Sequence, residues 1–537
     1  MERLLLSFYN LKLTAFHQSE VSNTLDVSQK HLSRRLNRWQ EDGILSYVSA
    51  RGRGNKTTVE WHMNIDQLYF ERVFKLLTPY LLSEAIQYLT WDWSLEHKQI
   101  LITKANKLLG VSPVNNDKLI VKKRYAPLFD HPLEVVDINS SNILSNVYDT
   151  LMSFNRSTLS YQFKIAQHID FHHEYAIIYL RKNVYFHDGT QVTSDDIKRC
   201  LLQAKSHNET SILLRPITEI EILQPYTLKI HYHHFPHFKD VLCKLNLAIY
   251  KKVNNRYIGT GPFYIAENND LQTLLKAFDQ YYGYRAYIDE VELIYIPKLK
   301  QSDYTIDVNE SSNAVNHIQV TDGFYYVLSL CQSTLTSTQK ATIHHLLQQS
   351  VHHIDDSHTG TNTAYILEGQ ALTMTLPKHL EQAFSITIIY PSYIEKKMLQ
   401  IKRYLHQFDI EAVLKPIDIM TSFNSEITMD GDIYIHGIFF NESDTFEYFT
   451  LLYQNKTLHY HLLAQYPPLN DYYTQYISSD TKLWDEMNET INKYLFENHL
   501  LYPIFNIVRE VQVPKKIHNA RVTSSGFYNF AELVIKQ

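Results

Sequence analysis

Cysteine is scarce in this chain of 537 residues, and so are glycine and proline. Cys200, Cys243 and Cys331 are an odd number of widely spaced residues. They therefore predict neither a disulfide framework nor a CxxC metal site, and they favour a reducing compartment. The 14 Gly and 16 Pro residues exclude a collagen-like chain. The hydrophobic content of 44% is typical of folded domains, and the length predicts about three or four of them.

Long apolar runs are also missing. The apolar stretch near Leu4 breaks before a signal-peptide core is complete, and no stretch of 18 apolar residues follows it. We therefore expect a cytoplasmic protein with no membrane partner. Tyrosine and phenylalanine are abundant, at 39 and 25 residues, which favours strands and a mixed α/β fold.

Basic charge is concentrated near the N-terminus. Residues 28–56 contain seven Lys or Arg residues and two acidic ones, although the whole chain has a net charge of −6. A basic face on an acidic molecule attracts polyanions to one end, which is typical of nucleic-acid binding. Charge alone is equally compatible with a solvated basic helix.

The local pattern of residues 1–62 predicts a winged helix-turn-helix. Three segments with apolar residues at helical spacing come first, and the third is expected to begin at the N-cap Ser28 and to end at Gly43. Residues 44–48 and 57–62 alternate like two strands joined by a flexible basic loop, the wing.

In a winged helix-turn-helix the third helix lies in the major groove, with its first residues at base edges. The residues of this helix expected to contact DNA are Ser28, Gln29, Lys30, Ser33, Arg34, Arg35 and Arg38. Of these, Gln29, Lys30, Ser33 and Arg34 are the candidate base readers, and the two later arginines are candidate phosphate contacts. The wing cations expected to hold phosphates are Arg51, Arg53 and Lys56. The alternative is a winged helix used only for protein contacts.

Residues 63–118 are expected to form a helical connector that ends in a linker. Apolar clusters at helical spacing extend over 65–109, and residues 110–117 are rich in helix breakers. We therefore expect a third region to begin at residue 119 and to extend to 537. Core packing is the simplest role for the apolar connector residues, and a dimerisation stripe is the alternative. The oligomeric state stays open.

Five motifs follow in the third region. They are Asn146-Val147-Tyr148-Asp149-Thr150-Leu151, the segment 180–190 that ends in His187-Asp188-Gly189-Thr190, residues 192–197, Gly259-Thr260-Gly261-Pro262-Phe263, and Leu501-Tyr502-Pro503-Ile504. In these motifs the chain resembles the family 5 solute-binding proteins of peptide and nickel ABC transporters. The resemblance implies a two-lobed, periplasmic-binding-protein-like α/β clamp. Its first lobe is expected at about 119–258 plus 480–537, and its second at about 262–479.

A winged helix joined to such a clamp resembles the SgrR-type transcriptional regulators, and the wing sequence Gly52-Arg53-Gly54-Asn55-Lys56 is similar to a wing segment of that family. The resemblance implies a ligand-responsive regulator whose partners are double-stranded operator DNA and a small solute. The alternative is a cytoplasmic solute or peptide receptor, or a transport-associated component, without operator-specific DNA binding. No GxSxG, HExxH, Walker or Rossmann pattern occurs, so we expect neither catalysis nor a cofactor.

One segment departs from the peptide-binding relatives, in which a "GW..D...P" segment supplies an aspartate to the ammonium group of the peptide. The corresponding segment here has Ile438 in place of the Trp and Asn441 at the Asp position. A neutral amide cannot offset a buried ammonium charge, so a peptide is not the favoured solute. Asp444 takes that position if the alignment shifts by three residues. Asn441 and Asp444 are therefore the candidate solute-binding residues.

Histidine is most dense at residues 231–237. On a strand, His231 and His233 would share one face, where a metal site is conceivable. Because no Cys or carboxylate stands nearby at ligand spacing, we expect surface imidazoles and no metal.

Overall fold

The computed structural model describes most of the chain. The described residues are 1–49, 56–78, 81–106, 108, 110–111, 117–123, 126–233, 235–295, 315–354, 366–367, 380–381, 383–418, 421, 429–520 and 529–536. The predicted wing contacts Arg51 and Arg53 lie outside the described residues, and so do residues 112–116 of the predicted linker.

Helices and strands alternate along much of the chain, as expected for a mixed α/β protein. The helices are α1 (Arg3–Asn10), α2 (Gln18–Thr24), α3 (Gln29–Glu41), α4 (Ile65–Leu76), α5 (Leu82–Leu89), α6 (Leu95–Asn106), α7 (Ile138–Leu144), α8 (Ser194–Ser206), α9 (Ser211–Leu214), α10 (Phe238–Val241), α11 (Ser337–Ser350), α12 (Glu395–His406), α13 (Asp444–Tyr453), α14 (Lys456–Gln465), α15 (Leu469–Tyr476) and α16 (Thr481–Glu497). Within the described ranges, none of the helices is long and apolar enough to span a membrane.

The strands form seven sheets in the described residues, three of which have four or more strands. The strands are β1 (Ala15–Phe16), β2 (Leu45–Val48), β3 (Thr57–Trp61), β4 (Gly110–Val111), β5 (Lys118–Lys123), β6 (Met152–Asn155), β7 (Ser160–Phe163), β8 (Ala166–Phe171), β9 (Tyr175–Leu180), β10 (Ile217–Gln224), β11 (Thr227–Tyr232), β12 (Lys251–Val253), β13 (Arg256–Ile258), β14 (Phe263–Asn268), β15 (Gln272–Ala277), β16 (Glu290–Tyr295), β17 (Val315–Ser329), β18 (Phe384–Pro391), β19 (Ile410–Ile417), β20 (Ile433–Phe439), β21 (Leu501–Pro514), β22 (Ile517–His518) and β23 (Val534–Ile535).

The N-terminal part contains α1, α2, α3 and a small antiparallel sheet with the strand order β1-β3-β2. Helix α3 begins after Ser28 because the Ser28 side chain accepts the N–H of His31 at 3.2 Å. It ends before Gly43, whose φ of +70° favours glycine. Both ends agree with the predicted third helix.

Helices α4, α5 and α6, the predicted connector, pack in one core with α1. Buried side chains of this N-terminal core include Phe8, Val73 and Leu101, and the core continues to Ile120 of β5 and Ile294 of β16. Residues 1–62 and the connector helices therefore share one core, and the domain boundary expected at residue 62 does not separate two cores. These helices are only 8 to 12 residues long. Isolated helices of this length are marginal in water, so they bury their apolar faces together.

The first lobe is built on two sheets with the strand orders β10-β11-β9-β8 and β14-β15-β16-β5-β4. In the second of these sheets β16 runs parallel to β5, and β4 pairs with β5, although its two residues were expected in the linker. Side chains alternate between the faces of a strand. Leu119 and Val121 therefore face the first-lobe core, whereas Ile120 faces the connector helices.

The second lobe is built on a sheet with the strand order β19-β18-β20-β17-β21. Alternation again divides its side chains, because Val327 packs in one core with α11 and α12. Tyr326 and Leu328 pack on the other face with α13 to α16. The sheet is thus covered by helices on both faces, as expected where parallel strand pairs such as β18–β19 occur.

The lobe boundaries differ from the expected ones. Residues 263–295 were expected in the second lobe, but their strands join β5 in a first-lobe sheet. Residues 501–514 were expected in the first lobe, but they form β21, which pairs with β17 in the second-lobe sheet. The chain then returns to the first lobe, where Phe530 N–H donates to Asn146 Oδ1 at 3.0 Å. The lobe boundaries were predicted wrongly because pairing between strands that are distant in the sequence depends on tertiary contacts and not on the local residue pattern.

Two of the sequence motifs contact each other in the first lobe. Gly259 N–H donates to His187 Nδ1 at 3.3 Å, and His187 Nε2 is 3.1 Å from the carbonyl oxygen of Gly261. A side chain at Gly259 would place its Cβ 2.1 Å from the carbonyl oxygen of Val147, so the backbone approach requires glycine. Burial lowers the pKa of His187 to about 4. The His-Asp-Gly-Thr and Gly-Thr-Gly-Pro motifs therefore act here as packing elements.

Candidate functional site

Helix α3 presents a basic face on the surface of the N-terminal part. Lys30, Arg34 and Arg38 are exposed, whereas Leu32 and Leu36 on the opposite stripe are fully buried. Among the described residues, Lys30 and Arg34 have no ion-pair partner. Arg38 has a distant one, because its Nε is 3.9 Å from the Asp42 carboxylate. Free cations on one helix face can approach phosphates and base edges.

The other predicted contacts on α3 are partly engaged. Ser33 Oγ donates to the side chain of Gln18 at 3.2 Å, which ties α2 to α3. Arg35 forms a 3.3 Å ion pair with Glu2, which also accepts the indole N–H of Trp39 at 3.1 Å. Ser28 and Gln29 are exposed at the start of the helix, and Lys56 is exposed at the start of β3.

Strand β2 is anchored on α3 by two hydrogen bonds. The Tyr47 hydroxyl donates to Asn37 Oδ1 at 2.5 Å, and the Tyr47 backbone N–H donates to Gln40 Oε1 at 2.9 Å. The strand that leads to the predicted wing therefore has a defined position beside the basic helix face.

A buried aspartate ties the N-terminal helices to the connector. Asp66 of α4 accepts hydrogen bonds from Asn10 of α1 at 2.9 Å and from the Ser94 hydroxyl at 2.6 Å, and His97 Nδ1 lies 2.5 Å away. Burial opposes ionisation, but these hydrogen bonds outweigh it and lower the pKa of Asp66. No local signal in the sequence identified this network, because its members are spread over three helices.

The predicted solute residues lie at the seam between the lobes. Asp444 forms a 2.6 Å ion pair with Arg156, which follows β6, and Arg156 also donates to the carbonyl oxygen of Glu442 at 2.7 Å. Asn441 is exposed, and its backbone N–H donates to the Glu447 carboxylate at 3.1 Å. The carboxylate expected as an alternative solute anchor is thus already paired with a guanidinium.

A second ionic group lies beside this pair. Lys244 Nζ is 2.7 Å from Glu442 Oε2 and 3.0 Å from Glu447 Oε1, and the three side chains are at most 12% exposed. Burial opposes the charge of Lys244, but the two carboxylates outweigh it and raise its pKa. Burial also opposes ionisation of Glu447, but Lys244 and hydrogen bonds from Glu442 lower its pKa to about 2. Burial raises the pKa of Glu442.

Sequence reasoning missed Arg156 and Lys244. Each is a single cation whose acidic partners lie about 200 to 290 positions further along the chain. The only available signal was the acidic composition of the segment 442–447, which has three carboxylates in six residues.

The histidine-rich segment does not form a metal cluster in the described residues. His231 Nε2 is 3.8 Å from Glu221. The expectation of surface imidazoles is wrong for His237, which is buried because its ring packs on Trp484 and lies 2.8 Å from Asp240. In the described part of the chain, no three His, Cys, Asp or Glu side chains come together in a group that could hold a metal ion.

Comparison with known sequences supports the resemblance noted above. Residues 175–316 match the family described as bacterial extracellular solute-binding proteins, family 5 Middle. The chain is 20% identical to the HTH-type transcriptional regulator SgrR of Photorhabdus laumondii subsp. laumondii, over 95% of this chain and 93% of the relative. It is 26% identical to SgrR of Shigella flexneri serotype 5b, but that match covers about half of each protein, 52% of this chain and 51% of the relative.

Solved structures show the same fold in the larger part of the chain. The Helicobacter pylori periplasmic binding protein DppA, in complex with the peptide STSA, has a TM-score of 0.65 at 16% identity and covers 78% of this chain and 98% of its own. NikA of Staphylococcus aureus, in complex with Ni(L-His)2, has a TM-score of 0.62 at 14% identity and covers 78% and 99%. The binding-protein-like α/β fold expected from the motifs is therefore confirmed.

Proposed function

We propose that this chain, which is similar to SgrR-type regulators along 95% of its length, is a DNA-binding transcriptional regulator that senses a small solute through its family 5 solute-binding domain. In this proposal residues 1–62 are a winged helix-turn-helix, residues 63–118 connect it to the clamp, and the protein acts in the cytoplasm. The observation that carries the proposal is the basic face of α3 on a chain that otherwise has a binding-protein fold.

The geometry of the N-terminal part supports binding to double-stranded DNA. Helix α3 has a capped N-terminus, three exposed cations and a buried stripe that holds it on α1 and the sheet. We propose that Gln29, Lys30, Ser33 and Arg34 read bases and that Ser28, Arg35, Arg38, Arg51, Arg53 and Lys56 contact phosphates. Glu2 competes with phosphate for Arg35. A solute receptor without operator-specific DNA binding remains the second candidate, and DNA-binding assays separate the two.

Replacing Arg34 with alanine should weaken operator binding by about 1–3 kcal/mol and relax the preference at one base pair, because an arginine near the start of this helix can form a bidentate contact with guanine. Operator fragments selected from random DNA, and copies with single base changes, are used in anisotropy titrations at fixed salt concentration.

The matched control is Arg256→Ala, which removes the same charge from an exposed position in β13 of the first lobe. It should leave operator affinity nearly unchanged. Equal loss for Arg34→Ala on every sequence would make Arg34 a phosphate contact. Absence of any sequence-selective binding by the parent chain would reject the regulator proposal.

The seam between the lobes bears on the class of solute. An ammonium group needs a free carboxylate as its partner in a buried site, but Asp444 is paired with Arg156 and Asn441 has a neutral side chain. We therefore propose a small solute that is not anchored by a free amino group, and we retain Asn441 and Asp444 only as neighbours of the solute. The peptide and nickel complexes of the two structural relatives also show that this fold alone does not specify one solute class.

The proposed clamp should hold its solute without converting it. The chain is purified from its own host under non-denaturing conditions, and native mass spectrometry compares its mass with that of the denatured chain. We expect a mass difference that disappears on unfolding, together with release of an intact molecule that binds again to the stripped protein. Release of a chemically altered molecule after rebinding would indicate an enzyme instead.

A further inference from the structure

Ionisable side chains connect the two lobes along one seam. Arg156 and Lys244 project from the first lobe, and Glu442, Asp444 and Glu447 lie on the segment that follows β20 of the second lobe. We propose that these five residues form a polar clasp that holds the lobes closed and separates when they open. The inference rests on the proposed function only in treating the two lobes as a clamp for a solute.

The clasp has a deeply buried half and a more accessible half. The side chains of Lys244, Glu442 and Glu447 are 12%, 10% and 7% exposed, whereas those of Arg156 and Asp444 are 26% and 21% exposed. In the buried half, Glu447 Oε1 also accepts the backbone N–H of Glu442 at 2.9 Å. A carboxylate that accepts hydrogen bonds from an ammonium group, two backbone N–H groups and a hydroxyl can stay ionised away from water.

Further polar contacts extend the seam on the first-lobe side. Asp240 accepts hydrogen bonds from Ser443 at 3.0 Å and from the Tyr161 hydroxyl at 2.8 Å. Tyr161 belongs to the β6–β7 hairpin, and Arg156 lies at its turn. The hairpin therefore contacts the segment 442–444 both directly, through Arg156, and through Asp240.

Ion pairs are well suited to an interface between lobes that must open and close. In the deeply buried half, the attraction is largely offset by the cost of removing the charges from water, so separating and hydrating these groups changes the free energy little. The polar preference for the closed lobes therefore comes mainly from the more accessible Arg156–Asp444 pair. Removing only one member of the buried half is costly, because its partner stays buried and unpaired. The apolar contacts beside the clasp, such as Phe235 with Trp484 at 5.6 Å between ring centroids, favour the closed arrangement.

The test uses Arg156→Gln, because this partly exposed residue can change without leaving a charge in the core. We expect the rate of hydrogen–deuterium exchange to increase about fivefold in residues 442–453 and 152–163. A fivefold increase corresponds to a loss of about 1 kcal/mol in the free energy of local opening. The radius of gyration from small-angle X-ray scattering should also increase, while the urea midpoint of global unfolding decreases only slightly.

Two further variants identify the cause. Asp444→Asn should reproduce the effect, and the double variant should exceed neither single variant, because both remove one interaction. Arg285→Gln is the matched control, since Arg285 pairs with Asp279 and Asp289 inside the first lobe. Exchange that stays unchanged at the seam, or that increases equally throughout the chain, would make the cluster a permanent structural contact and overturn the clasp. Neither outcome depends on DNA or solute, so the proposed function is tested separately.

Discussion

At pH 5.5 the folded chain should be less stable than at pH 7.5 by several kcal/mol. The cause is a set of histidines that burial keeps neutral, with pKa values below the ordinary 6.5. They are His131, His187, His344, His345, His436, His459, His461 and His499. Burial lowers the pKa of His131 and of His436 to about 4.

The direction of the effect follows from proton binding in the two states. Below pH 6.5 the unfolded chain protonates these histidines, whereas the folded chain does not until the pH reaches the lowered pKa. As the pH is lowered below 6.5, the free energy of unfolding therefore decreases by about 1.4 kcal/mol per pH unit for each fully buried histidine. Burial raises the pKa values of Asp137 and Glu442, which act in the opposite sense. These two groups offset part of the loss. His131, His187 and His436 contribute to the loss through the whole window below pH 6.5, because their pKa values are lowered to about 4.

His344→Phe isolates one member of this set. The His344 ring is fully buried, with its centroid 3.6 Å from that of the Tyr502 ring and its Nδ1 2.8 Å from His499 Nδ1. Burial is the main cause that lowers the pKa of His344, and the nearby His499 and His345 lower it further. The groups facing it are Phe496, Tyr502 and these two histidines. The charge of Lys340 also helps to lower the pKa of His499. Phenylalanine keeps the stacking but cannot bind a proton. The number of protons taken up on unfolding, which sets the pH slope of the unfolding free energy, should therefore be about one smaller in the variant.

Urea unfolding monitored by circular dichroism at half-unit steps from pH 7.5 to 5.5 measures this slope. His352→Phe is the control, because His352 is exposed, and it should leave the slope unchanged. A parent chain with equal stability at both ends of the range would show that the buried histidines are protonated in the folded state as readily as in the unfolded one.

Local patterns predicted some elements well, and contacts between distant residues explain most of the differences. Helix α3 was predictable because its N-cap, apolar stripe and terminal glycine lie within 16 residues. The binding-protein-like fold was predictable only from resemblance, because the contact of Gly261 with Val147 joins segments more than 100 residues apart. The pairing of β21 with β17, and of Arg156 with Asp444, has no local signature. The lobe boundaries and the polar seam were therefore missed.

The attachment of the N-terminal part to the clamp is a further case in which packing changes the expectation. The sequence pattern suggests a tether at residues 110–117, but Ile120 and Ile294 of the first-lobe sheet are buried in the core of the N-terminal helices, at 1% and 0% exposure. Because the two parts share buried apolar side chains, unfolding of one part exposes apolar surface of the other, which couples their unfolding. In the proposed regulator, a solute signal would then reach α3 through this packed contact and would not need the tether.

Replacing Ile294 with aspartate should separate the N-terminal part from the first lobe. A carboxylate without a partner cannot stay in an apolar core, and the loss of the apolar side chain adds a cost of about 2–5 kcal/mol. Calorimetry should then show two transitions where the parent chain shows one. Four of the five tryptophans, Trp39, Trp61, Trp91 and Trp93, lie in the N-terminal part, so tryptophan fluorescence should follow the earlier transition and circular dichroism both.

A flexible Gly/Ser insertion between Ser112 and Pro113 provides the contrasting variant. Lengthening a loop costs only about 0.6 kcal/mol for each doubling of its length, and the Ile120 and Ile294 contacts stay intact, so a single transition should persist. If the insertion alone separates the two transitions, the tether holds the parts together and the packed contact is secondary. If Ile294→Asp still unfolds in one step with an unchanged midpoint, the N-terminal helices are not docked on the sheet. With both expected results, α3 moves as one body with the first lobe. In the proposed regulator, closure of the second lobe is then the motion by which a solute would act on α3.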